Sequence, residues 1–371
     1  DLFFSTGPNG VGLSLLRSRI TPEGRTWETN IMKMAQDRGA RVWSTPWSPP
    51  PNLKTSNSAI AGSFISSPAN YQAYANQLAN YVSSMKNTHG VNLHALSIQN
   101  EPNYETDYES CLWTAAQFHE FVPYLSAALT EKGVGGTKIM LPECAQWDFS
   151  LAADTMNDPA TAAQVGILGG HNYGSSAAAV TQFGSPAPVP LWQTEHYFGA
   201  SADVSITNGL AVAEQIHDFM TIAEANAYHY WWLKGSGSGS IAGNSTTNPA
   251  KRLYVMGNYS KFVRPGFQRV AVTSDTTALI SAYRNPAAQD FVIVAANPTA
   301  WPVTQTFDLT GCPAVAALDR WVTSDTLSLS SQSAVNVTAG AFTAVLPPYT
   351  VTTLRWGATA CNSPETWRAS S

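Results

Sequence analysis

The chain has 371 residues, of which 44% are hydrophobic and only 12% are charged. This composition excludes an intrinsically disordered chain, and no apolar run approaches the roughly 18 residues that a membrane-spanning helix needs. Acidic residues number 25 and basic residues 20, which gives a net charge of −5 without a basic cluster. Nucleic acids and membranes are therefore not expected as partners. The 12 Trp, 14 Tyr and 14 Phe suit a surface that stacks on uncharged sugars, or an aromatic core.

The four cysteines bear on the compartment in which the protein works. None lies in a Cys-x-x-Cys pair, so a zinc site is not indicated. The even number predicts two disulfides, Cys111–Cys144 and Cys312–Cys361, although other pairings and four buried thiols remain open. Disulfides form in oxidising compartments, so a secreted, extracellular protein is expected. The chain starts at Asp1 without a signal peptide, so a secreted form would be a processed one.

Up to Gly266, short apolar runs alternate with amphipathic stretches. The predicted strands are residues 11–19, 41–47, 93–101, 138–144, 167–173, 191–196 and 227–233. The predicted helices are residues 27–38, 71–86, 118–132, 210–225 and 253–262. Strands that alternate with helices form parallel sheets, and this many units predicts a (β/α)8-type TIM barrel over residues 1–266.

After Gly266 the helical periodicity disappears and the chain becomes rich in Val, Thr and Ala. Clear strand patterns cover residues 278–283, 291–296, 304–309 and 351–356. Short strands separated by turns predict an antiparallel arrangement. Residues 267–371 are therefore expected to form a small antiparallel β-sandwich beside the barrel.

Two glutamates stand at the ends of predicted strands. Glu101 follows an apolar run in an Asn-Glu-Pro sequence, and Glu195 ends the run Leu-Trp-Gln-Thr-Glu. A TIM barrel carries its active site at the carboxyl ends of its strands. A bare carboxylate there is costly, so each glutamate either pairs with a buried arginine or serves catalysis. Two such carboxylates suit glycoside cleavage, in which one stays protonated and the other ionised. Glu143 ends another strand and could brace this site.

Several motifs carry a resemblance to a known family. Gln99-Asn-Glu-Pro102 together with Leu191-Trp-Gln-Thr-Glu195 resembles the retaining glycoside hydrolases of clan A. A fuller set of motifs narrows the resemblance to glycoside hydrolase family 30 and its xylanase branch. That set comprises Leu13-Ser-Leu-Leu-Arg17, Ser44-Thr-Pro-Trp47-Ser-Pro-Pro50, Gly170-His-Asn-Tyr-Gly174, Tyr230-Trp-Trp232 and Ser260-Lys-Phe-Val-Arg-Pro-Gly266.

The resemblance implies roles for individual residues. Glu101 is expected to be the acid/base and Glu195 the nucleophile. The other residues implied in substrate binding are Asn100, Arg17, Trp47, Tyr173, Trp231, Tyr197 and His171. Of these, Asn100 is expected to contact the sugar 2-hydroxyl and Arg17 to lie near the nucleophile. No metal or organic cofactor is required, and the expected partner is the polysaccharide xylan.

Two departures from the family qualify this expectation. The chain supplies seven barrel strands and not eight, because it begins after the Gly-Phe-Gly-Gly-like first strand. A second copy of the chain could cover the open edge. Members specific for glucuronoxylan carry an arginine after the last barrel strand, whereas Lys234 is the only basic residue here.

We therefore expect a retaining endo-β-1,4-xylanase without a strict need for glucuronosyl branches. The alternatives are enzymes of the same family that cleave β-1,6-galactan, β-1,6-glucan or terminal xylobiose. A truncated barrel that binds polysaccharide without cleaving it is the non-catalytic alternative.

Overall fold

The structure is a computed structural model. It describes residues 1–178, 180, 183–184, 187–198, 203–235, 239–287, 290–309 and 316–356, and the backbone of residues 366–370. The chain divides into two compact units. The parallel-sheet unit contains Leu15–His196 and Ile222–His229, and the β-rich unit contains Asp1–Ser14, Tyr197–Thr221 and Tyr230–Ser371.

The parallel-sheet unit is built on seven strands that run in sequence order. They are β1 (Leu15–Ile20), β2 (Arg41–Pro46), β3 (Leu93–Ser97), β4 (Lys138–Cys144), β5 (Val165–His171), β6 (Leu191–Glu195) and β7 (Ala227–Tyr228). Every neighbouring pair is parallel. Strands β2, β4 and β6 are nearly continuously buried, as expected for a parallel sheet covered on both faces, whereas β1 alternates between half-buried and buried residues.

Helices connect these strands, and local sequence sets where they begin. They are α1 (Thr29–Gln36), α2 (Pro68–Asn87), α3 (Ala115–Glu131), α4 (Ala153–Asn157) and α5 (Pro159–Ala162), with 3-10 turns at Pro51–Leu53 and Ser150–Ala152. Ser67 caps α2 by accepting a bond from the Asn70 amide, and Pro68 occupies the first turn. Thr114 and Gln117 form a capping box at α3. Among the described helices, none is long and apolar enough to cross a bilayer.

The parallel sheet curls strongly. The indole Nε1 of Trp43 on β2 donates a hydrogen bond of 3.0 Å to Nε2 of His229, which follows β7. In a flat sheet, β2 and β7 would lie about 24 Å apart, since neighbouring strands are separated by about 4.8 Å. Residues from successive strands fill the space enclosed by the curl, in the cluster Leu15, Trp43, Ala95, Met140, Ile167, Trp192 and Ala227. This packing is that of a TIM-barrel-like sheet.

Within its described residues, the β-rich unit contains two helices and a nine-stranded sheet. The helices are α6 (Ile206–Thr221) and α7 (Lys251–Ser260). The strands are β8 (Gln268–Ser274), β9 (Leu279–Asn285), β10 (Asp290–Asn297), β11 (Val303–Asp308), β12 (Ala317–Thr323), β13 (Ser330–Asn336), β14 (Ala341–Leu346), β15 (Thr350–Trp356) and β16 (Thr366–Ser370). Helix α7 packs on β12 and β15, where the Asn258 amide donates to Thr353 Oγ1 at 2.9 Å.

The sheet of the β-rich unit is not wholly antiparallel, which corrects the sequence-based expectation. Its order is β13-β12-β15-β10-β9-β8-β16-β11-β14. The pair between β16 and β8 is parallel, and the other pairs are antiparallel. The periodicity of a strand does not reveal the direction of its neighbour, so the sequence contained no signal for this exception.

The predicted Cys111–Cys144 disulfide is wrong. Both residues are buried free cysteines. The Cys111 thiol donates to the carbonyl of Leu112, and burial raises the pKa of this thiol to about 12. Burial likewise raises the pKa of the Cys144 thiol above its usual range. These cysteines pack as small apolar side chains, a common role of free cysteine. The second predicted pair, Cys312–Cys361, lies outside the described residues.

Candidate active site

Glu101 and Glu143 have an unusual backbone at the carboxyl end of the sheet. Glu101 follows β3 with φ 46°, and Glu143 lies near the end of β4 with φ 60°. Left-handed backbone costs about 1 kcal/mol or more in a residue with a Cβ, and it is concentrated at functional sites. The Glu101 amide donates to the Glu143 carbonyl at 3.0 Å, so the two turns are joined directly. Register shifts at Glu143 and at His171 re-aim both side chains, as β-bulges do beside active sites.

The carboxylate of Glu195 is held by two donors. Arg17 Nη1 donates to Oε2 at 2.5 Å, and the Tyr173 hydroxyl donates to Oε1 at 2.8 Å. Burial, followed by the neighbouring charge of Glu195, raises the pKa of Tyr173, so the phenol stays a donor. Glu195 is only 8% exposed. The two bonds fix the orientation of this carboxylate at the end of β6.

The carboxyl group of Glu101 has a different environment. Its Oε1 lies 3.0 Å from Nδ1 of His171, and the Tyr108 hydroxyl donates to Oε2 at 3.4 Å. Tyr108 belongs to the loop after β3 and is 48% exposed. Burial and the charge of Glu101 raise the pKa of Tyr108 to about 12, so it too remains a donor. No arginine or lysine is paired with Glu101 among the described ion pairs, in contrast to Glu195.

Arg17, on β1, links the residues of this site. Besides Glu195, its guanidinium contacts Oε1 of Glu143 at 2.9 Å and donates to Oδ1 of Asn100 at 2.6 Å. The guanidinium carbon lies 4.5 Å from the ring centroid of Trp47, within cation–π range. Burial would lower the pKa of Arg17, but Glu143 and Glu195 outweigh burial and raise it. Arg17 therefore supplies a fixed positive charge between two carboxylates.

Glu143 is a third carboxylate, and it is fully buried. Its Oε2 accepts a hydrogen bond of 3.0 Å from Thr45 Oγ1, and its Oε1 lies 3.5 Å from Nε2 of His171. Burial would raise the pKa of Glu143, but Arg17 and then His171 outweigh burial and lower it. Glu143 is thus a buried carboxylate between the guanidinium of Arg17 and the imidazole of His171.

The spacing of the polar atoms limits the chemistry of the site. One oxygen of Glu101, one oxygen of Glu195 and one nitrogen of His171 lie within 4.8 Å of one another. Such a trio has the geometry to hold a metal ion, but the Arg17 guanidinium already occupies the space beside Glu195 with its positive charge. Carboxyl groups about 5–5.5 Å apart are typical of retaining glycosidases, whereas inverting enzymes need about 6.5–9.5 Å.

Comparisons with known proteins identify the family of this chain. Residues 20–182 match the family described as O-glycosyl hydrolase family 30. The chain is 34% identical over 365 residues to glucuronoxylanase XynC of Bacillus subtilis (strain 168), covering 94% of this chain and 82% of that protein. The chain belongs to glycoside hydrolase family 30.

Solved structures of the family share this fold. The family 30 subfamily 8 xylanase Xyn30A of Clostridium acetobutylicum is 37% identical with a TM-score of 0.84. A family 30 endoxylanase of Clostridium papyrosolvens C71 is 30% identical with a TM-score of 0.80. Each match covers 94% of this chain and 90% of the other. The family resemblance drawn from the motifs is confirmed.

Most of the residues expected at the family 30 site meet in the parallel-sheet unit. Those brought together there are Arg17, Trp47, Asn100, Glu101, His171, Tyr173 and Glu195. Tyr197 and Trp231 belong to the β-rich unit. In that unit the Tyr197 ring stacks on Trp232 with centroids 5.6 Å apart, and Trp231 meets Trp232 edge-on at 5.3 Å.

Two contacts were missed from the sequence. Tyr108, in the acidic loop after β3, donates to Glu101 Oε2, and Thr45 donates to Glu143 Oε2. Thr45 belongs to the Ser44-Thr-Pro-Trp47 motif, two residues before Trp47. Its position in this motif could have indicated that it lies at the site. Tyr108 follows charged residues that suggest a solvated loop, and nothing in its spacing predicts that its hydroxyl returns to Glu101.

Replacement of Tyr173 by phenylalanine is expected to lower kcat/KM about 10- to 100-fold. The change removes one hydrogen bond to a carboxylate, and such bonds contribute about 1.5–3 kcal/mol. Steady-state kinetics and a thermal unfolding scan test this. The control is Tyr74→Phe, which removes the bond from another buried tyrosine to the Ile98 carbonyl. The control is expected to lower stability and leave kcat/KM unchanged. Equal losses of kcat/KM in both variants would contradict a specific role of the Tyr173 hydroxyl at Glu195.

Proposed function

We propose that the protein is a retaining endo-β-1,4-xylanase, with Glu101 as the acid/base and Glu195 as the nucleophile. The observation that carries the proposal is the close approach of Glu101 and Glu195, whose oxygens lie within 4.8 Å. The surroundings of the two carboxyl groups differ, as one proton donor and one attacking carboxylate require. Glu195 receives bonds from Arg17 and Tyr173, whereas Glu101 faces an imidazole and a phenol. Different environments for two close carboxyl groups separate the acid from the nucleophile.

In the first step, Glu195 attacks the anomeric carbon while Glu101 gives its proton to the departing glycosidic oxygen. The bond from the anomeric carbon to that oxygen breaks, and an ester to Glu195 forms. Arg17 and Tyr173 orient the attacking carboxylate before the reaction, so little reorganisation is needed in the transition state. The Asn100 oxygen is bonded to Arg17, which leaves the amide NH2 available for the sugar 2-hydroxyl.

In the second step, a water molecule attacks the ester on the same face that the leaving group vacated. Glu101, now a carboxylate, takes a proton from this water, and Glu195 is released. Two inversions at the anomeric carbon give a product with the β configuration of the substrate. This retention of configuration is the expected stereochemical result for carboxyl groups at such a short distance.

The names of the relatives support xylan as the substrate. Relatives at 30–37% identity include proteins named a glucuronoxylanase, a xylanase and an endoxylanase. A polymer such as xylan is met outside the cell, which supports a secreted protein. For the architecture, we propose a (β/α)8-type barrel over residues 1–266 and a β-sandwich over residues 267–371. The parallel strands and the absence of a helix from the described residues after Ser260 support this division.

We also propose that glucuronosyl branches are not strictly required. Residues 231–240 read Trp-Trp-Leu-Lys-Gly-Ser-Gly-Ser-Gly-Ser and contain Lys234 but no arginine. Arginine binds a carboxylate through two parallel hydrogen bonds, whereas lysine offers a point charge on a flexible stem. The name of the Bacillus subtilis relative favours the second candidate, an enzyme that does require the branch.

A product profile tests the proposed substrate. The protein is incubated with glucuronoxylan, arabinoxylan, linear xylo-oligosaccharides, β-1,6-glucan and β-1,6-galactan, and the products are read by mass spectrometry. Xylo-oligosaccharides of mixed length, with rates within about tenfold on branched and linear xylans, are the expected result. Activity on glucuronoxylan alone would establish the branch-dependent candidate, and products from the β-1,6-linked polymers alone would contradict both.

A further inference from the structure

His171 has surroundings that no other described histidine shares. It ends β5, is fully buried, and lies among three carboxylates. Its Nδ1 is 3.0 Å from Glu101 Oε1, and its Nε2 is 3.5 Å from Glu143 Oε1 and 4.0 Å from Glu195 Oε2. Both ring nitrogens therefore face carboxylate oxygens. Nδ1 makes a hydrogen bond with Glu101, whereas Nε2 makes no hydrogen bond with either of the other two carboxylates. The closeness of these two carboxylates to Nε2 nevertheless favours a positively charged imidazolium electrostatically.

The other described titratable groups around His171 are a phenol, a guanidinium and two imidazoles. The ring of Tyr173 meets the imidazole edge-on with centroids 5.9 Å apart. Arg17 contacts the same two oxygens, Glu143 Oε1 and Glu195 Oε2, that face Nε2 of His171. His196 and His229 also interact electrostatically with His171. Burial lowers the pKa of each of these two histidines to about 4, so they are neutral at pH 7. His171 is therefore the histidine of this cluster that is placed to carry a charge.

We propose that Glu143 is a positioning residue that keeps His171 doubly protonated, and that the resulting imidazolium is the counter-charge for Glu101 once Glu101 has given up its proton. This inference rests on the proposed function, because it assigns the protons of the same site. It gives the third buried carboxylate a purpose that the two-glutamate mechanism leaves unexplained.

Charge balance is the physical argument for this proposal. Before the reaction, the anions Glu143 and Glu195 balance the cations Arg17 and His171, and protonated Glu101 is neutral. After the first step, Glu195 is a neutral ester, and Glu101 has become the second anion. The site holds two positive and two negative charges in both states. Moving one negative charge from Glu195 to Glu101 therefore leaves no uncompensated charge in a buried site, where such a charge is costly.

The protons follow the same scheme. Oε1 of Glu101 accepts a bond from Nδ1–H of His171, so the transferable proton sits on Oε2 of Glu101. That proton passes to the glycosidic oxygen as the bond to the anomeric carbon breaks, while both N–H protons stay on His171. In the second step, Glu101 regains a proton from water, and the water oxygen bonds to the anomeric carbon. Every proton is accounted for, and no further reactant is needed.

The electrostatics of His171 agree with this arrangement. Burial would lower its pKa, but Glu195, Glu101 and Glu143, when all three are ionised, outweigh burial and raise the pKa to about 9. While Glu101 is protonated, the charges of Glu195 and Glu143 remain to raise the pKa of His171. An unperturbed histidine titrates near 6.5. Because the folded value lies above the unfolded one, protonated His171 stabilises the fold fully below about pH 6.5, and this contribution is lost as the pH rises through about 9.

Nitrogen-15 NMR of the whole chain with labelled histidine tests the protonation directly. In the unmodified protein at pH 7, His171 is expected to carry hydrogen on both ring nitrogens and to titrate near pH 9. In Glu143→Gln, the midpoint is expected to fall by about 1–3 pH units, because a nearby carboxylate charge is lost. Thr45→Val is the matched control, since it removes a hydrogen bond from Glu143 and keeps the charge. A singly protonated His171 at pH 7 in the unmodified protein overturns the proposal, whether or not any variant folds.

Kinetics separate this role from a merely structural one. Glu143→Gln is compared with the unmodified protein on xylo-oligosaccharides and on a 2,4-dinitrophenyl β-xylobioside, whose leaving group needs little proton donation. If Glu143 acts through His171 and Glu101, kcat is expected to fall at least about tenfold more on the oligosaccharide, with recovery in Glu143→Asp. Equal losses on both substrates, or none, overturn the proposal. Failure of the unmodified protein to cleave either substrate would instead contradict the proposed function.

Discussion

Replacement of Glu195 by alanine is expected to lower kcat on xylan by at least about 10⁴-fold while leaving the fold intact. Loss of the proposed nucleophile would remove the covalent route, and a 10⁴-fold loss corresponds to about 5 kcal/mol of transition-state stabilisation. The fold is expected to survive because Glu143 remains to balance Arg17. Hydrolysis rates and a thermal unfolding scan measure the two effects. If hydrolysis survives the substitution, Glu195 is not the nucleophile.

Added azide distinguishes the nucleophile from the acid/base. In Glu195→Ala, azide can occupy the space of the missing carboxylate and attack opposite the leaving group, so an α-glycosyl azide is expected. In Glu101→Ala, azide can attack the glycosyl-enzyme from the other face, so a β-glycosyl azide is expected. An aryl xyloside with a good leaving group serves as substrate in both experiments. The reverse stereochemistry would exchange the two roles.

Much of the parallel-sheet unit was predictable because its strands are apolar and regularly spaced. The strand at Lys138–Cys144 has the predicted bounds, and each of the other six predicted barrel strands overlaps an observed strand. The predicted strand ends are wrong where side chains turn toward the site. The third strand was expected to reach Glu101 but ends at Ser97, since the Asn100 amide bonds to Pro46 and the Glu101 amide to Glu143. At this point, hydrogen bonds to β2 and β4 replace the regular pairing of a strand with its neighbours. The hydrophobic periodicity of the sequence does not reveal such bonds.

The sequence located the paired glutamates but not the charges that govern them. Glu101 and Glu195 were recognisable because a carboxylate after a buried strand is costly and needs a reason. The bonds from Arg17 to Glu143 and Asn100 join three different strands or strand ends, so they depend on the curl of the sheet. The prediction of a Cys111–Cys144 disulfide was wrong for a related reason. An even number of cysteines does not show which side chains approach one another.

Replacement of Arg17 by methionine is expected to destabilise the protein by about 3–5 kcal/mol. The guanidinium is 6% exposed and contacts Glu143 at 2.9 Å and Glu195 at 2.5 Å. Methionine fills similar space but leaves two buried carboxylates without this compensation, and breaking a buried pair carries a cost of that size. Urea or thermal unfolding measures the loss. Arg355→Met is the control, since Arg355 pairs with Asp290 with its side chain 41% exposed, and a loss below about 1 kcal/mol is expected.

The double variant Arg17→Met with Glu143→Gln tests whether uncompensated charge is the cause. Glutamine keeps the shape of Glu143 and removes one of the two stranded charges, so part of the lost stability is expected to return. The coupling free energy between the two positions is expected to reach about 1–3 kcal/mol, as found for residues in direct contact. Additive losses would mean that Arg17 stabilises the site through its packing on Trp47 and not through charge. Activity is not expected to return with stability, because Glu195 still lacks the donor that orients it for attack.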